Sequence, residues 1–158
     1  MTVVAVLSMK GGVGKSTVAL GLASAAWDRD LRTLVIDLDP QANASMALDV
    51  VDAPYSTSDV LADARPGVAA DAVVTTGWGD HIEAIAAERS LEHRNVPQGR
   101  NSALRLRTAL ATLPRSYDLV VIDCPPSLGE LTRNALSAAD LAVVVTEANH
   151  FALHGAAE

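Results

Sequence analysis

The chain has 158 residues, 49% of them hydrophobic and only 3% aromatic, with a formal charge of −7. That length suits one domain with a substantial core, and a make-up rich in Ala, Val and Leu suits a compact α/β protein. No apolar run approaches the length of a membrane span, the opening "TVVAVLS" lacks the basic region of a secretory signal, and the net acidity argues against a general polyanion binder.

Residues 2–7, "TVVAVL", are continuously apolar and β-branched, which predicts a buried parallel strand. "SMKGGVGKST" (8–17) follows. The usual phosphate-binding pattern G-x-x-x-x-G-K-[ST] would put its first glycine at position 9, where this chain has Met9 with Lys10 beside it. Gly11, Gly12 and Gly14 let the backbone turn tightly, so that the N–H groups from Gly11 through Val13 to Thr17 can face an anion at the start of a helix. Lys15 can reach the β and γ oxygens of a nucleotide, Ser16 can ligate Mg²⁺, and Thr17 is placed for the α-phosphate. The alternative is a glycine-rich turn with no ligand, and a strand before, a helix after and G-K-S-T in place all argue against it. Lys10 and Lys15 are the only lysines in the chain.

Lys15 to about Asp28 predicts the first helix, and "RTLVIDLD" (32–39) a second strand ending in two carboxylates. Of these, Asp37 and Asp39, only one is expected to face the nucleotide directly. Strand, loop, helix and strand make a βαβ unit with a right-handed crossover. From Pro40 to about Asn101 the pattern is less regular, with short helices near 43–49 and 57–64, a strand near 82–87, and loops at Gly77, Gly79, Pro97 and Gly99. "SALRLRTALATL" (102–113) predicts a helix with Leu106, Leu110 and Leu113 on one face. "YDLVVIDCPPS" predicts a strand at 117–123 closing on Asp123, the setting of a Walker B aspartate that holds a metal ion. A helix at 128–138 and a strand at 141–146 complete the pattern. A lone strand-end aspartate is commonly a turn or helix cap. Three of them at carboxyl ends of strands beside a phosphate loop favour ligand binding, because open α/β sheets bind there.

No repeat or linker divides the chain, so a single nucleotide-binding domain over residues 1–158 is expected. It stops at "HFALHGAAE", where the pattern predicts the start of a further helix, so a C-terminally shortened form of a larger domain is expected.

"KGGVGKST", "VIDLDPQANAS" and "YDLVVIDCPPSLGELTRNAL" together resemble the deviant Walker A, Walker A′ and Walker B segments of ParA-type partition ATPases, whose relatives include the MinD division-site proteins. The motifs run from residue 8 to about 140 in the family's order and spacing. The resemblance implies a P-loop fold, a doubly wound and mostly parallel sheet in three α/β/α layers, and an ATP-driven sandwich dimer. It implies that Lys10 is the signature lysine reaching across the dimer to the partner's phosphates, an arginine-finger equivalent supplied in trans. It further implies that Asp39 positions the attacking water, that Asp37 supports the metal shell with Ser16 and Asp123, and that Pro125 and Pro126 form the γ-phosphate switch. The expected function is a slow, partner-stimulated Mg²⁺-dependent ATPase in plasmid or chromosome partition. Its expected partners are a ParB-type adaptor and, for the full-length protein, non-specific nucleoid DNA, with a cytoplasmic, nucleoid-associated location and no membrane. Two features depart from the family: Asn149 stands where a glutamate is common, and the last strands and helices are missing, including the loop that grips adenine.

Other residues are read more plainly. Arg94, Arg100, Arg105, Arg107 and Arg115 lie between Glu92 and Asp118 with no acid among them. They could make a salt-sensitive DNA surface, but a solvated helix face with its adjoining loops is the favoured reading. Cys124, the only cysteine, cannot form an internal disulfide, fits a reducing cytoplasm and is expected to be buried. His81, His93, His150 and His154 show no metal spacing, and Trp27 and Trp78 are expected to pack. The rival functions are a MinD-like membrane-recruited ATPase, which would need an amphipathic C-terminal helix, and a nucleotide-binding regulator with little hydrolysis.

Overall fold

The computed structural model describes residues 1–63, 65–111, 113 and 117–147. Asn149, His150, His154, Arg115 and the helix expected after the last strand lie outside them. The described elements run β1 (Thr2–Leu7), α1 (Lys15–Trp27), β2 (Thr33–Asp37), α2 (Asn43–Ala47), α3 (Thr57–Asp63), α4 (Val68–Asp71), β3 (Val74–Thr75), β4 (Ile82–Ile85), α5 (Arg105–Leu110), β5 (Leu119–Asp123), α6 (Glu130–Ala138) and β6 (Leu141–Val144). The six strands form one sheet in the order β3-β4-β2-β5-β1-β6. β3 is antiparallel to β4, and the other pairings are parallel. The expected doubly wound, mostly parallel architecture is therefore present.

Strand alternation sorts the side chains into two layers. Val3, Ala5, Leu7, Leu34, Ile36, Val120, Ile122 and Cys124 join the cluster that packs under α3, α4, α5 and α6. Val4, Val6, Val35 and Val121 face the opposite way, toward Ala19 and Ala23 of α1. The buried positions of α1 are Lys15, Ala19, Ala23 and Ala26. Their spacing of four and three makes a stripe of small side chains, so the helix can lie close against the sheet.

Parity then decides where the carboxylates point. Asp37 continues the series of Thr33 and Val35, and Asp123 continues that of Val121, so both emerge on the α1 face at the carboxyl edge of the sheet. The two residues are register partners on adjacent strands.

Three differences from the sequence reading have physical causes. β2 stops at Asp37 instead of 39, because the Asp39 N–H turns back to donate to Asp37 Oδ1 at 3.0 Å. The predicted helix at 102–113 is split: Asn101 is left-handed at φ 62°, Ser102–Leu104 is a 3₁₀ turn, and α5 begins at Arg105. Leu106, Leu110 and Leu113 still enter one core cluster. The irregular middle also holds α4, β3 and a 3₁₀ stretch at Arg89–Arg94 that composition did not reveal. These elements are too short to carry a readable period.

The start of α6 is braced by the chain just after the 3₁₀ stretch. Asn95, just after it, receives the Leu131 N–H on Oδ1 at 3.4 Å and the Glu130 N–H on its carbonyl at 3.3 Å, so it caps α6 from outside. A Cβ added at Gly129 would stand 2.0 Å from Asn95 Oδ1 and 2.6 Å from its Cγ, so the Asn95 side chain would have to leave. Gly129→Ala is expected to cost about 1 kcal/mol, the typical value of a lost cap. Thermal unfolding of Gly129→Ala, Asn95→Ala and the double variant checks this. Fully additive losses would disconnect the two positions.

Candidate functional site

The glycine loop turns where the sequence needs it to: Gly12 and Gly14 have φ of 78° and 90°, a conformation other residues adopt only under strain. Gly14 is also the N-cap of α1, with no side-chain hydrogen bond there, so the first N–H groups of that helix remain directed outward. Lys15 begins the helix and is buried at 8% exposure. Its Nζ lies 3.9 Å from Asp39 Oδ2, and Asp39 is similarly buried.

Asp123 has no exposure, and neither of its carboxylate oxygens has a hydrogen-bond partner among the described residues. Burial pushes its carboxyl up to about 6, and the charges of Asp37 and Asp39 add to the rise. The Ser16 hydroxyl and the Lys15 ammonium act the other way. Ser16 is thus close enough to be felt without closing a hydrogen bond of ordinary geometry. A fully buried, unsatisfied carboxylate is costly in isolation. Its oxygens and the Ser16 hydroxyl make a hard-oxygen donor set, which suits Mg²⁺. No group of three or more His, Cys, Asp or Glu among the described residues is arranged to hold a metal alone. Such an ion would take its remaining ligands from phosphate oxygens and water, as Mg²⁺ commonly does.

Asp37 and Asp39 both lie buried at this edge, Asp37 as the last residue of β2 and Asp39 in the turn after it. Their roles differ by what they already hold. Asp37 accepts from Asp39 N at 3.0 Å and from Ser45 N and Ser45 Oγ at 2.9 and 2.8 Å. Burial raises its carboxyl above the ordinary value, and the hydrogen bonds from Ser45 oppose the rise. Asp37 therefore fastens the turn after β2. Asp39 accepts from Gln41 N on Oδ1 at 2.9 Å and keeps Oδ2 toward Lys15.

Ser45 and Thr57 were not singled out from the sequence. Ser45 ties Asp37 to the chain beyond β4 by donating from its N–H and hydroxyl to Asp37 and accepting from Ala87 N. Thr57, with no exposure, donates its hydroxyl toward the carbonyls of Asp37 and Ala86. The only sequence sign for Ser45 was its place inside "DPQANAS", and a buried threonine has no sign at all.

The two lysines diverge. Lys15 turns into the site, whereas the Lys10 side chain is 63% exposed and its Nζ meets Glu147 Oε2 at 2.7 Å. Cys124 is fully buried behind Asp123, and burial pushes its thiol up to about 12.

Two of the described arginines of the run are held by the fold. Arg105 donates to the carbonyls of Leu61 and Gln98 at 2.8 and 3.1 Å, and Arg94 donates to Gln98 Oε1 at 2.8 Å. Only Arg100 and Arg107 of the described members are exposed. No described helix is long and apolar enough to cross a membrane.

A family profile described as an AAA domain, AAA_31, matches residues 1–158. The sporulation initiation inhibitor protein Soj of Bacillus subtilis is 35% identical over 155 residues, covering 97% of this chain and 61% of that protein. The chromosome partitioning protein ParA of Myxococcus xanthus is 34% identical over 157 residues, covering 97% of this chain and 54% of that protein. Among solved structures, a cobyrinic acid a,c-diamide synthase of Mycobacterium smegmatis with bound ADP and magnesium superposes with a TM-score of 0.86 at 33% identity, covering 99% of this chain and 66% of the other. The chain thus spans little more than half the length of the curated relatives named here.

Proposed function

The chain belongs to the AAA_31 family, with the Soj and ParA partition ATPases among its relatives, and from that premise we propose that it is the nucleotide-binding part of an ATP-switched dimer that hydrolyses ATP slowly with Mg²⁺. The observation that carries the reading is the division between the two lysines of one loop. Lys15 is buried against Asp39, while Lys10 leaves the same loop into solvent. A lysine directed away from its own loop's interior fits a cation supplied to a second subunit.

In this reading the N–H groups of Gly11, Gly12, Val13 and Gly14 cradle the phosphates and Lys15 neutralises their β and γ oxygens. The Thr17 N–H and hydroxyl serve the α-phosphate. Ser16 and Asp123 would hold the magnesium, which when bound would offset negative charge developing on the phosphates. Asp39, free on Oδ2 once Lys15 turns to the nucleotide, orients the attacking water, and Asp37 keeps Asp39 in place. Lys10 enters the partner's phosphate site when two subunits close. The magnesium and the nucleotide in the Mycobacterium smegmatis synthase support the ligand pair. The name of that enzyme points to a different reaction, and the curated relatives favour partition. For the whole protein the partners proposed are a second copy, a ParB-type adaptor and nucleoid DNA, and the location cytoplasmic.

The test compares Lys10→Ala and Asp39→Ala with the parent in the full-length protein. Lys10→Ala should bind ATP within about threefold of the parent as a dilute monomer, yet fail to dimerise or hydrolyse. Asp39→Ala should bind ATP and persist as a dimer while turnover falls about a hundredfold or more, the usual loss when a water-positioning group goes. Parental turnover in either variant would remove that residue from the mechanism.

A further inference from the structure

Lys10 is not simply exposed: it is engaged, and by a residue from the far end of the described chain. Glu147 lies just beyond β6, the strand that pairs with β1 on the edge side of the sheet. β1 leads into the glycine loop, so the parallel pairing of β1 with β6 brings the chain after β6 beside the start of that loop. Val145 N donates to the Leu7 carbonyl at 2.8 Å, which fixes the two exits side by side. The Lys10 ammonium then meets Glu147 Oε2 at 2.7 Å, although 137 residues separate them. The Lys10 N–H is held by Ser8 Oγ at 3.2 Å, which steadies the loop at its base.

We propose that Glu147 is a positioning residue that holds Lys10 within its own subunit, a latch that must open before Lys10 can enter the partner's phosphate site. This rests on the in-trans reading of Lys10. An ammonium has three N–H donors, so the two engagements compete through position: to reach the partner's phosphates Lys10 has to swing away from Glu147 of its own subunit. The carboxylate is 39% exposed and its partner 63%, so the pair is of the weak, salt-screened kind. Weakness is what a latch requires here. A buried pair would lock the monomer, whereas an exposed one is displaced readily by the larger charge of a bound triphosphate. Each closing dimer opens two such pairs, so a small preference per subunit acts twice on the same equilibrium. Without nucleotide Lys10 stays parked, which keeps two empty subunits from closing.

Two readouts test this in the full-length protein. The first is the rate at which a limiting amine-acylating reagent modifies Lys10 in the nucleotide-free monomer, read by peptide mass spectrometry. Lys10 and Lys15 are the only lysines and Lys15 is buried, so the assignment is unambiguous. Glu147→Gln should speed modification about twofold or more. Added salt should speed the parent and leave the variant unchanged, a response that a merely structural role for Glu147 would not produce. Equal rates, or equal salt responses, overturn the latch whatever the oligomeric state.

The second readout is the protein concentration at half-dimerisation with a non-hydrolysable ATP analogue and Mg²⁺. Glu147→Gln should reach it at about two- to tenfold lower concentration, and should change nothing in a Lys10→Ala background. Dimerisation of Glu147→Gln at or above the parental concentration, with Lys10→Ala unable to dimerise, overturns the latch and leaves the in-trans lysine standing. Parental dimerisation by Lys10→Ala overturns the in-trans role, and the latch with it.

Discussion

Lys15→Ala should lower affinity for ATP at least about a hundredfold, because Lys15 is the buried cation at the mouth of the glycine loop and Lys10 stands away from it. A charge-assisted hydrogen bond contributes about 1.5–3 kcal/mol, and an ammonium shared between β and γ oxygens makes two. The same change removes the cation 3.9 Å from Asp39 and one of the influences that hold the Asp123 carboxyl down. The empty pocket of Lys15→Ala therefore carries three carboxylates, at 37, 39 and 123, without their nearest positive charge, and anionic phosphates meet a more acidic site. Titration calorimetry of Mg²⁺-ATP against parent and variant measures the loss. Affinity within about twofold of the parent would contradict the phosphate-loop assignment, and a far-ultraviolet spectrum would show that the variant is folded.

Asp123→Asn should move stability and function in opposite directions. The folded state raises the Asp123 carboxyl from 3.8 to about 6, chiefly through burial. Between these values the folded chain holds a proton that the unfolded chain has released. The stability contributed by the neutral form is complete below about pH 4 and is lost as pH rises to about 6. A rise of this size corresponds to about 3 kcal/mol. At pH 7 the nucleotide-free parent therefore carries the ionised, unsatisfied carboxylate at a cost that Asn does not have. Asp123→Asn should be more stable than the parent by about 1–3 kcal/mol at pH 7, with the difference vanishing near pH 4. It should also lose most of the Mg²⁺-dependent part of nucleotide affinity. Denaturant unfolding of both proteins at pH 4 and pH 7 checks the first statement, and ATP binding with and without Mg²⁺ the second. A variant less stable than the parent at pH 7 would mean that the carboxylate is satisfied in a way the fold does not display, and would weaken its assignment to the metal.

The trade arises because a carboxylate that binds a cation well must be left unpaired when the cation is absent. Asp37 shows the other choice. Its oxygens accept from Asp39 N and from Ser45, so it holds the turn that follows β2. The two aspartates are neighbours in register, equally buried in kind, and alike in sequence setting as the last residue of an apolar strand. What separates them is the backbone that follows. The chain after Asp37 curls back within two residues, and the chain after Asp123 runs into Cys124 and two prolines, which offer few N–H groups.

The sequence by itself determined the glycine loop, the main parallel strands and the first helix, and the three aspartates at or just past strand ends. These are local patterns, since a turn needs its glycines within a few residues and a buried parallel strand is apolar along its length. It also determined the family, because the three motifs keep their spacing. Tertiary structure alone decided how these residues are arranged. The pairing of β2 with β5 placed Asp37 beside Asp123, the parity of each strand turned both toward α1, and the pairing of β1 with β6 carried Glu147 to Lys10. The capping of α6 by Asn95 and the ties made by Arg94 and Arg105 belong here too. Each joins residues far apart in the chain through side chains whose partners are set by how sheet and helices pack, and a single sequence carries no local trace of such a meeting.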